Sequence, residues 1–454
     1  MRKASILLAG IFIVLGLNAK AQKTPTAKKI DTVITQLASQ YKFSGSVLIA
    51  DKGKVILNKG YGYSIVDRND SCDENTYFQI GSITKTFTAT TVLLLQQDSL
   101  LHVSDKISKY FPDYPKGDSI TIEHLLTHTS GIYNYTENDA LMQYAFMQHI
   151  ERKDMMGYFK DVPLAFTPGS MHAYSNSNYM LLGYIIEEAT GKTYYEVVRE
   201  RIFEPLGMKH TGFNFANFPS WDKAQGYLVM RPGRLTPSPP VDSSFSYAAG
   251  AIYTTTGDLY KWAQAILDQK LLSKTLWEKA LTKYKKNYGY GWVIKDSSES
   301  GVDKKMIGHN GGIHGFIAEF RLVPEDKSVI ILLCNDMQDN VADLSTTIAS
   351  ILYNKPYDKR ARKIEIKMKQ EELAEYEGRY ALAENFDVLI YSQTGSLWAQ
   401  ATKQIPFRIL NYKKDHFFIE EVEAEISFVR NEKGKITHMV LHQNGKDIKG
   451  RKWQ

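Results

Sequence analysis

Cysteine is scarce in this sequence. The 454 residues include two, Cys72 and Cys334, which lie far apart along the chain. Their number excludes a zinc site built on cysteine ligands. In an oxidising compartment the two can form one disulfide or remain as two buried thiols. Each lies in or beside a strand-like segment, which favours the thiols, although the sequence alone leaves the pairing open.

Motifs that define several other enzyme classes are absent. The chain has no Gly-x-Ser-x-Gly elbow, which argues against an α/β-hydrolase, and no glycine-rich phosphate-binding loop. His124 and His128 are four residues apart on a predicted helix, as zinc ligands are, but Leu125 stands where a zinc protease helix carries glutamate. We therefore expect neither a metal nor another cofactor.

An apolar run long enough to span a bilayer is also missing at the N-terminus, where residues 6–17 form a shorter one. This run follows Arg2 and Lys3 and precedes Ala19-Lys20-Ala21, a small-x-small cleavage site. Residues 1–21 are therefore predicted to be a secretory signal peptide. We expect a periplasmic or secreted protein with no stable membrane anchor.

Neither sign of charge is in large excess. The net charge is +6 at pH 7, and loss of Arg2, Lys3 and Lys20 with the signal peptide lowers it to +3. Such a mild excess does not indicate a nucleic-acid-binding protein. The expected partners are small-molecule or peptide substrates, cell-wall fragments among them.

The length and the hydrophobic pattern predict two domains. Residues 45–63 have the pattern of a β-hairpin, and the strongest segments between residues 82 and 272 are helical. Strand patterns return at residues 288–294, 315–323 and 328–334. Antiparallel strands from both ends of a domain that flank a helical insertion define an α+β fold, a sheet flanked by helices. This domain is predicted to cover residues 27–352.

A change of pattern marks the second domain. A lysine-rich linker, residues 353–370, precedes short alternating runs separated by turn signals. Residues 371–454 are therefore predicted to form a small all-β, barrel-like module.

One short stretch of the helical region carries unusual chemistry. Ser82 and Lys85 lie three residues apart at the head of a long apolar run, so on a helix they share one face. The lysine amine would then reach the serine hydroxyl. The same spacing occurs at two other places, Ser39/Lys42 and Ser220/Lys223. Only at Ser82 does a glycine precede the serine and an apolar helix follow, as expected of a nucleophile held on a rigid element.

Two later segments can supply the partners that a nucleophilic serine needs. Tyr174-Ser175-Asn176 precedes a predicted helix, and Tyr174 would act as a base if a cation such as Lys85 lowered the pKa of its phenol. His309-Asn310-Gly311-Gly312 leads into a predicted strand, where glycines permit close approach of a ligand to the backbone. Taken alone, the Tyr174 segment is better explained as a polar turn that caps a helix. The His309 segment, taken alone, is better explained as a flexible loop at the start of a strand.

Together, Ser82-x-x-Lys85, Tyr174-Ser175-Asn176 and His309-Asn310-Gly311 have the order and rough spacing of the three motifs of the penicillin-recognising serine hydrolases. The chain resembles the branch of this β-lactamase-related family that contains class C β-lactamases, D-alanyl-D-alanine carboxypeptidases, D-aminopeptidases and esterases. The resemblance extends over residues 27–352, and the C-terminal module resembles the lipocalin-like domain that often follows such hydrolases. Further matching stretches are 125–131, 168–169, 205–208 and 248–255.

The resemblance implies acyl transfer. Ser82 would attack a carbonyl and become acylated, while Lys85 and Tyr174 move its proton to the leaving group and then activate water. Asn176 would hold the substrate amide, and the backbone N–H groups of Ser82 and Gly312 would form the oxyanion hole.

The third motif departs from the family pattern. β-Lactamases and carboxypeptidases usually carry a lysine where this chain has His309, and a histidine is mostly neutral at pH 7. Binding of a free substrate carboxylate should weaken, so we expect ester, peptide or D-amino-acid amide cleavage rather than antibiotic hydrolysis. The alternatives are a β-lactamase or carboxypeptidase, and a non-catalytic sensor that is acylated without turnover.

Overall fold

The chain folds as two units, Met1–Tyr357 and Asp358–Gln454. The computed structural model describes residues 24–143, 145–231, 234–337, 340–357, 366, 368–393, 395–419, 424–443 and 446–453. The predicted signal peptide and part of the predicted linker lie outside these residues. No helix among the described residues is long and apolar enough to cross a membrane.

A six-stranded antiparallel sheet forms the centre of the first unit, with the strand order β2-β1-β12-β11-β10-β9. The remaining strands form three two-stranded pairs. The described strands of this unit are β1 Gly45–Asp51, β2 Lys54–Tyr61, β3 Tyr63–Ile65, β4 Asp70–Ser71, β5 Phe78–Gln79, β6 Tyr227–Arg231, β7 Arg234–Pro237, β8 Tyr253–Thr254, β9 Val293–Lys295, β10 Met306–Ile313, β11 Phe316–Val323 and β12 Ser328–Cys334.

Helices cover both faces of the sheet. Successive residues of a strand point to opposite faces, so Val47 and Ile49 of β1 pack with the helices at the two ends of the unit, while Leu48 packs with the helical insertion. The described helices are α1 Pro25–Ser39, α2 Thr84–Gln97, α3 Ile122–Leu126, α4 Asp139–Gln143, α5 Arg152–Gly157, α6 Asn176–Thr190, α7 Tyr194–Val198, α8 Glu204–Leu206, α9 Ser243–Gly250, α10 Thr256–Leu267, α11 Lys274–Ala280 and α12 Val341–Leu352. The predicted α+β architecture is confirmed.

Helix α2 forms in spite of its many β-branched residues, which are poor helix formers. Every residue from Thr84 to Leu95 is buried. Threonine hydroxyls of this helix donate hydrogen bonds to carbonyls one turn earlier. Thr90 donates to the Thr86 carbonyl at 2.8 Å, and Thr91 donates to the Phe87 carbonyl at 2.9 Å. Burial therefore outweighs intrinsic propensity and makes α2 a rigid central element.

Two predicted strand boundaries are wrong. Residues 288–292 do not pair as a strand: Gly291 takes a φ of +77°, and its N–H donates to the Gly289 carbonyl. A Cβ on Gly291 would lie 2.7 Å from the Lys85 carbonyl oxygen, so this position requires glycine. Conversely, the His309 segment does not merely lead into a strand, because it lies within β10.

Cys72 and Cys334 are both buried thiols and are not joined by a disulfide. Burial raises the pKa of the Cys72 thiol, which keeps it protonated. These two residues therefore belong to the packing of the first unit.

The second unit contains a closed eight-stranded barrel of antiparallel neighbours, in which the first strand also pairs with the last. Helix α13, Gln370–Ala374, precedes it. The strands are β13 Gly378–Ala383, β14 Phe386–Gln393, β15 Ser396–Ala401, β16 Phe407–Lys413, β17 His416–Ile419, β18 Ala424–Arg430, β19 Ile436–Gln443 and β20 Lys446–Lys452. The predicted all-β module is confirmed as a barrel.

Candidate active site

Ser82 lies in the single 3-10 turn Gly81–Ile83 that leads into α2. Gly81 has a φ of +49°, and a Cβ on it would lie 2.7 Å from the Gly312 carbonyl oxygen. Only glycine fits this conformation and this space without strain. The serine is therefore held at the start of a buried helix and directly beside β10.

The amine of Lys85 touches Ser82, as the three-residue spacing predicted. Its Nζ lies 3.0 Å from Ser82 Oγ, 2.8 Å from Asn176 Oδ1 and 2.8 Å from the Ala249 carbonyl oxygen. The side chain is fully buried, and this burial holds the pKa of Lys85 well below its usual value. In its neutral form, which this burial favours, the amine would donate its two N–H groups to the two carbonyl oxygens and direct its lone pair at the Ser82 hydroxyl. The arrangement is suited to removing the proton of Ser82.

A strained turn brings the Ala249 carbonyl to Lys85. Tyr247 has a φ of +35° and a ψ of −127°, which is an outlier for a bulky residue. After it the chain directs the Ala248 carbonyl at the Thr88 hydroxyl, 2.7 Å away, and the Ala249 carbonyl at Lys85. Strain of this kind persists where the surrounding packing fixes it, and here it completes the partners of the buried amine.

Tyr174 contacts Ser82 from the other side. Its hydroxyl donates to Ser82 Oγ at 2.9 Å. Burial raises the pKa of the Tyr174 phenol, and Lys85 Nζ sits over the tyrosine ring, 4.9 Å from its centroid. The condition under which Tyr174 would act as a base, a phenol pKa lowered by Lys85, is therefore not met, because burial of both groups favours their neutral forms. Ser82 thus lies between a buried amine and a buried phenol.

Asn176 is oriented by residues that the sequence did not single out. Its Oδ1 accepts from Lys85, while its Nδ2 donates to Thr136 Oγ1 at 3.2 Å and to Asn134 Oδ1 at 3.4 Å. Its backbone N–H also donates to Asn134 Oδ1, at 2.9 Å. No motif marks Asn134 or Thr136 in the sequence. They fix which end of the amide faces the lysine.

The third predicted segment forms the wall opposite Ser82. A Cβ on Gly311 would lie 1.9 Å from the Ile80 carbonyl oxygen, so the strand can approach the serine turn only with glycine there. A Cβ on Gly312 would meet nothing within 4 Å. Asn310 and Gly312 are exposed and His309 and Gly311 are buried, as the alternation of a strand requires. Strand β9 pairs with β10 only as far as Gly308, which leaves the edge beyond it open beside Ser82.

His309 belongs to a buried chain of hydrogen bonds with Tyr288 and His128. The Tyr288 hydroxyl lies 3.0 Å from His309 Nε2 and 3.2 Å from His128 Nε2. His128 Nδ1 accepts from the Ser175 backbone N–H, so its proton is on Nε2. His309 Nδ1 lies 2.6 Å from the Asn310 carbonyl oxygen, which can only accept, so its proton is on Nδ1.

These two fixed protons set the direction of donation along the hydrogen bonds from His128 through Tyr288 to His309. His128 Nε2–H donates to the Tyr288 oxygen, and the Tyr288 hydroxyl donates to His309 Nε2. A second proton on His309 would remove the acceptor that its Nε2 offers to the Tyr288 hydroxyl. Burial, with Lys85 nearby, lowers the pKa of His309 to about 3, and burial also lowers the pKa of His128. The first residue of the His309-Asn310-Gly311 segment is therefore neutral at pH 7.

The two histidines that were weighed as zinc ligands have other roles. His124 Nδ1 accepts from the Thr121 backbone N–H at 3.2 Å and helps to cap α3. His128 has a φ of +55° and joins the chain to Tyr288. Within the described ranges, no three or more His, Cys, Asp or Glu residues are grouped so that they could hold a metal ion.

The sequence profile of the β-lactamase family matches residues 30–354. The chain belongs to this family. It is a serine hydrolase. The C-terminal residues 362–452 match a second profile, described as a domain of unknown function (DUF3471).

Relatives with names and solved structures agree with this membership. The chain is 30% identical over 345 residues to the teichoic acid D-alanine hydrolase of Staphylococcus aureus (strain NCTC 8325 / PS 47), covering 74% of this chain and 80% of that one. It resembles the crystal structure of a penicillin-binding protein from Bacillus halodurans with a TM-score of 0.62 and 26% identity, over 71% of this chain and 98% of that one.

A structure that spans both units is also similar. The octameric penicillin-binding protein homologue from Pyrococcus abyssi matches with a TM-score of 0.69 at 23% identity. The match covers 93% of this chain and 99% of that one. At this identity the likeness shows the fold alone. The combination of a hydrolase unit with a C-terminal β-barrel unit is thus a shared arrangement.

Proposed function

We propose that this protein is a secreted hydrolase that cleaves an ester or amide bond of the peptide or D-amino-acid type through an acyl-enzyme on Ser82. The observation that carries the proposal is the position of Ser82 Oγ, 3.0 Å from a buried amine whose pKa is lowered and 2.9 Å from a phenol that donates to it. One partner is prepared to take a proton and the other to give one. Secretion rests on the predicted signal peptide, residues 1–21, alone.

In the proposed acylation, Ser82 Oγ forms a bond to the substrate carbonyl carbon while its proton passes to Lys85 Nζ. The negative charge that develops on the carbonyl oxygen would be stabilised by the backbone N–H groups of Ser82 and Gly312. As the bond to the leaving group breaks, Tyr174 gives its proton to the departing oxygen or nitrogen. The proton on Lys85 then restores the phenol, so both groups end as they began.

Deacylation would follow the same route in reverse. A water molecule takes the place of the leaving group and attacks the acyl carbon, while its proton passes through Tyr174 and Lys85 to Ser82 Oγ. Asn176 is proposed to keep the lysine amine oriented through both steps and to meet the substrate amide. Asn134 and Thr136 support it in that position.

The proposed substrate carries no free carboxylate beside the bond that is cleaved. His309 is buried and neutral, so it offers no cation to such a carboxylate. The relative that is named for its action on D-alanine of teichoic acid supports an ester or amide of a D-amino acid. β-Lactam hydrolysis and carboxypeptidase activity are less favoured, because their substrates carry a carboxylate next to the reacting amide.

The test compares a D-alanyl ester, its L-enantiomer and a penicillin on the mature chain. Released product is followed in parallel with the intact mass of the protein, and Ser82→Ala is the control. We expect many turnovers on the D-alanyl ester, a serine-dependent mass increase, and slow or no turnover of penicillin. Efficient penicillin hydrolysis would assign a β-lactamase instead. One equivalent of adduct without turnover on any substrate would assign the non-catalytic sensor.

A further inference from the structure

Among the described residues, large side chains fill the interior of the C-terminal barrel. An eight-stranded barrel is wide enough either for side chains to fill it or for one small ligand. Here Tyr380, Met439 and Phe417 are almost fully buried inside. The rings of Phe417 and Phe428 are 5.4 Å apart between centroids, and those of Tyr380 and Phe428 are 5.5 Å apart. The barrel resembles a lipocalin in strand number, and the side chains that the structure describes inside it pack against one another.

A large open cleft lies instead at one end of the barrel. It has a volume of about 1020 Å³ and is lined by the turn between β18 and β19, the first residues of β19, and the end of β20. Ligand sites in proteins commonly have volumes of about 300–1,000 Å³. The cleft is therefore large enough for several sugar units or a similar chain.

The walls of this cleft are basic. Lys433, Lys435 and Arg451 line it, all three are exposed, and no ion pair among the described residues neutralises them. The carboxylate that lines the cleft, Glu375, is already paired with Arg430 at 2.8 Å. A positive field here also agrees with the pKa of His438, which is lowered by burial and by Lys449 and Arg451.

An aromatic ring and neutral hydrogen-bonding groups stand beside these charges. Trp453 is 61% exposed at the rim, and its position is fixed because its backbone N–H donates to the Arg379 carbonyl at 2.8 Å. Thr437 and Asn431 line the same cleft. An exposed tryptophan that packs on a sugar ring, with hydroxyl and amide groups for sugar hydroxyls, fits a saccharide.

Two other anionic partners, single-stranded nucleic acid and a membrane surface, fit this cleft less well. Single-stranded nucleic acid is usually bound by several aromatic rings on which successive bases stack, and the cleft presents Trp453 as its exposed aromatic side chain. Insertion into a membrane surface needs a broad apolar face next to the basic one, and Ile436, the aliphatic side chain in the lining, is buried.

We propose that this cleft binds an anionic polysaccharide, with Lys433, Lys435 and Arg451 facing its acidic groups and Trp453 packing on a sugar ring. The carboxylate, sulfate or phosphate of such a polymer presents negatively charged oxygens to these lysine and arginine side chains. The cleft shares no residue with the Ser82 site, and this proposal does not depend on the reaction proposed there. It assigns a binding role to a domain whose family is described as having no known function.

The test measures binding of the full mature chain to polygalacturonate and to dextran sulfate, with neutral dextran as the uncharged control. The double variant Lys433→Gln/Lys435→Gln is compared with Lys403→Gln/Lys446→Gln, which removes the same charge from turns at the opposite end of the barrel. We expect the cleft variant to bind at least roughly tenfold more weakly and the control variant to change less than about twofold. Trp453→Ala should weaken binding without changing its salt dependence, since the ring carries no charge.

Each alternative result overturns the proposal. Equal losses in the two double variants would mean attraction by overall charge rather than by the cleft. Stronger binding of a single-stranded oligonucleotide or of phosphatidylglycerol vesicles than of either polysaccharide would assign a different partner. No binding to either anionic polysaccharide would leave the cleft without this role. Unchanged thermal unfolding of all variants serves as the folding control.

Discussion

Lysines lie in opposite surroundings in the two units of this chain. Lys85 is fully buried, has three oxygen neighbours and a lowered pKa, and its proposed role rests on its lone pair. Lys433 and Lys435 are exposed, and their proposed role rests on their charge. The difference comes from the surroundings and not from the side chain: burial penalises the charged form, and water stabilises it. The two units should therefore respond differently to substitution, pH and salt.

The largest expected effect tests whether burial makes Lys85 a base. Lys85→Met should lower kcat/KM on an ester roughly 10²–10⁴-fold, because the group that takes the Ser82 proton is gone. Lys223→Met is the matched control, since Lys223 has the same spacing from Ser220 but its amine contacts the Ala216 carbonyl and the Phe215 ring. Activity of Lys85→Met near that of the parent would remove the lysine from the mechanism.

A smaller effect is expected from the hydroxyl that joins the two buried histidines. Tyr288→Phe leaves His128 Nε2–H and His309 Nε2 unpaired, which should lower the free energy of unfolding by about 1–3 kcal/mol. Denaturant unfolding measures this change. In the control Tyr260→Phe, an exposed hydroxyl is lost and a change below about 0.5 kcal/mol is expected. Equal changes in the free energy of unfolding for the two substitutions would argue against the hydrogen bonds of Tyr288 with His128 and His309.

The stability of the first unit should depend on pH through His309. The pKa of this residue is lowered to about 3 in the folded protein, so below the usual 6.5 the unfolded chain holds a proton that the folded chain does not. Stability should then fall as pH drops from above 6.5 towards 3, by on the order of 1 kcal/mol per pH unit for such a group. His309→Gln should make this slope shallower, whereas His102→Gln at an exposed position should not. Thermal unfolding at a series of pH values measures both slopes.

Salt should separate the two units most simply. Raising the sodium chloride concentration shortens the screening length from about 10 Å at 0.1 M to about 3 Å at 1 M. Polysaccharide binding at the barrel cleft should be lost, while kcat/KM on a neutral ester should change by less than about twofold. A parallel loss of both would mean that charge also controls the Ser82 site.

The sequence was most informative where local spacing determines contact. The contact of Ser82 with Lys85 followed from their spacing together with the glycine before the serine and the apolar helix after it. Two features escaped it for a physical reason. The charge state of Lys85 and Tyr174 depends on burial by distant residues, which spacing does not encode. The sequence predicts a strand at Tyr288 because glycine alternates with large side chains there. In the structure the glycines beside Tyr288 form a turn outside the sheet, and the tyrosine hydroxyl contacts both histidines.

Asn134 and Thr136 illustrate a further limit. They orient Asn176 across about forty residues of sequence, and no composition or periodicity marks them. The barrel shows the reverse case: its alternating runs predicted strands, but closure and the cleft depend on pairing of β13 with β20, which the local pattern does not specify.

The strand order of the first unit has a consequence for when the chain becomes active. Gly45 at the start of β1 pairs with Cys334 at the end of β12, so the sheet closes between residues made early and residues made late. Ser82 and Lys85 leave the ribosome long before Gly311 and Gly312, which form the opposite wall. A truncated or half-synthesised chain therefore carries Ser82 and Lys85 without the opposite wall, and folding must wait for a contact of very long range. An unfinished chain thus does not present an assembled Ser82 site.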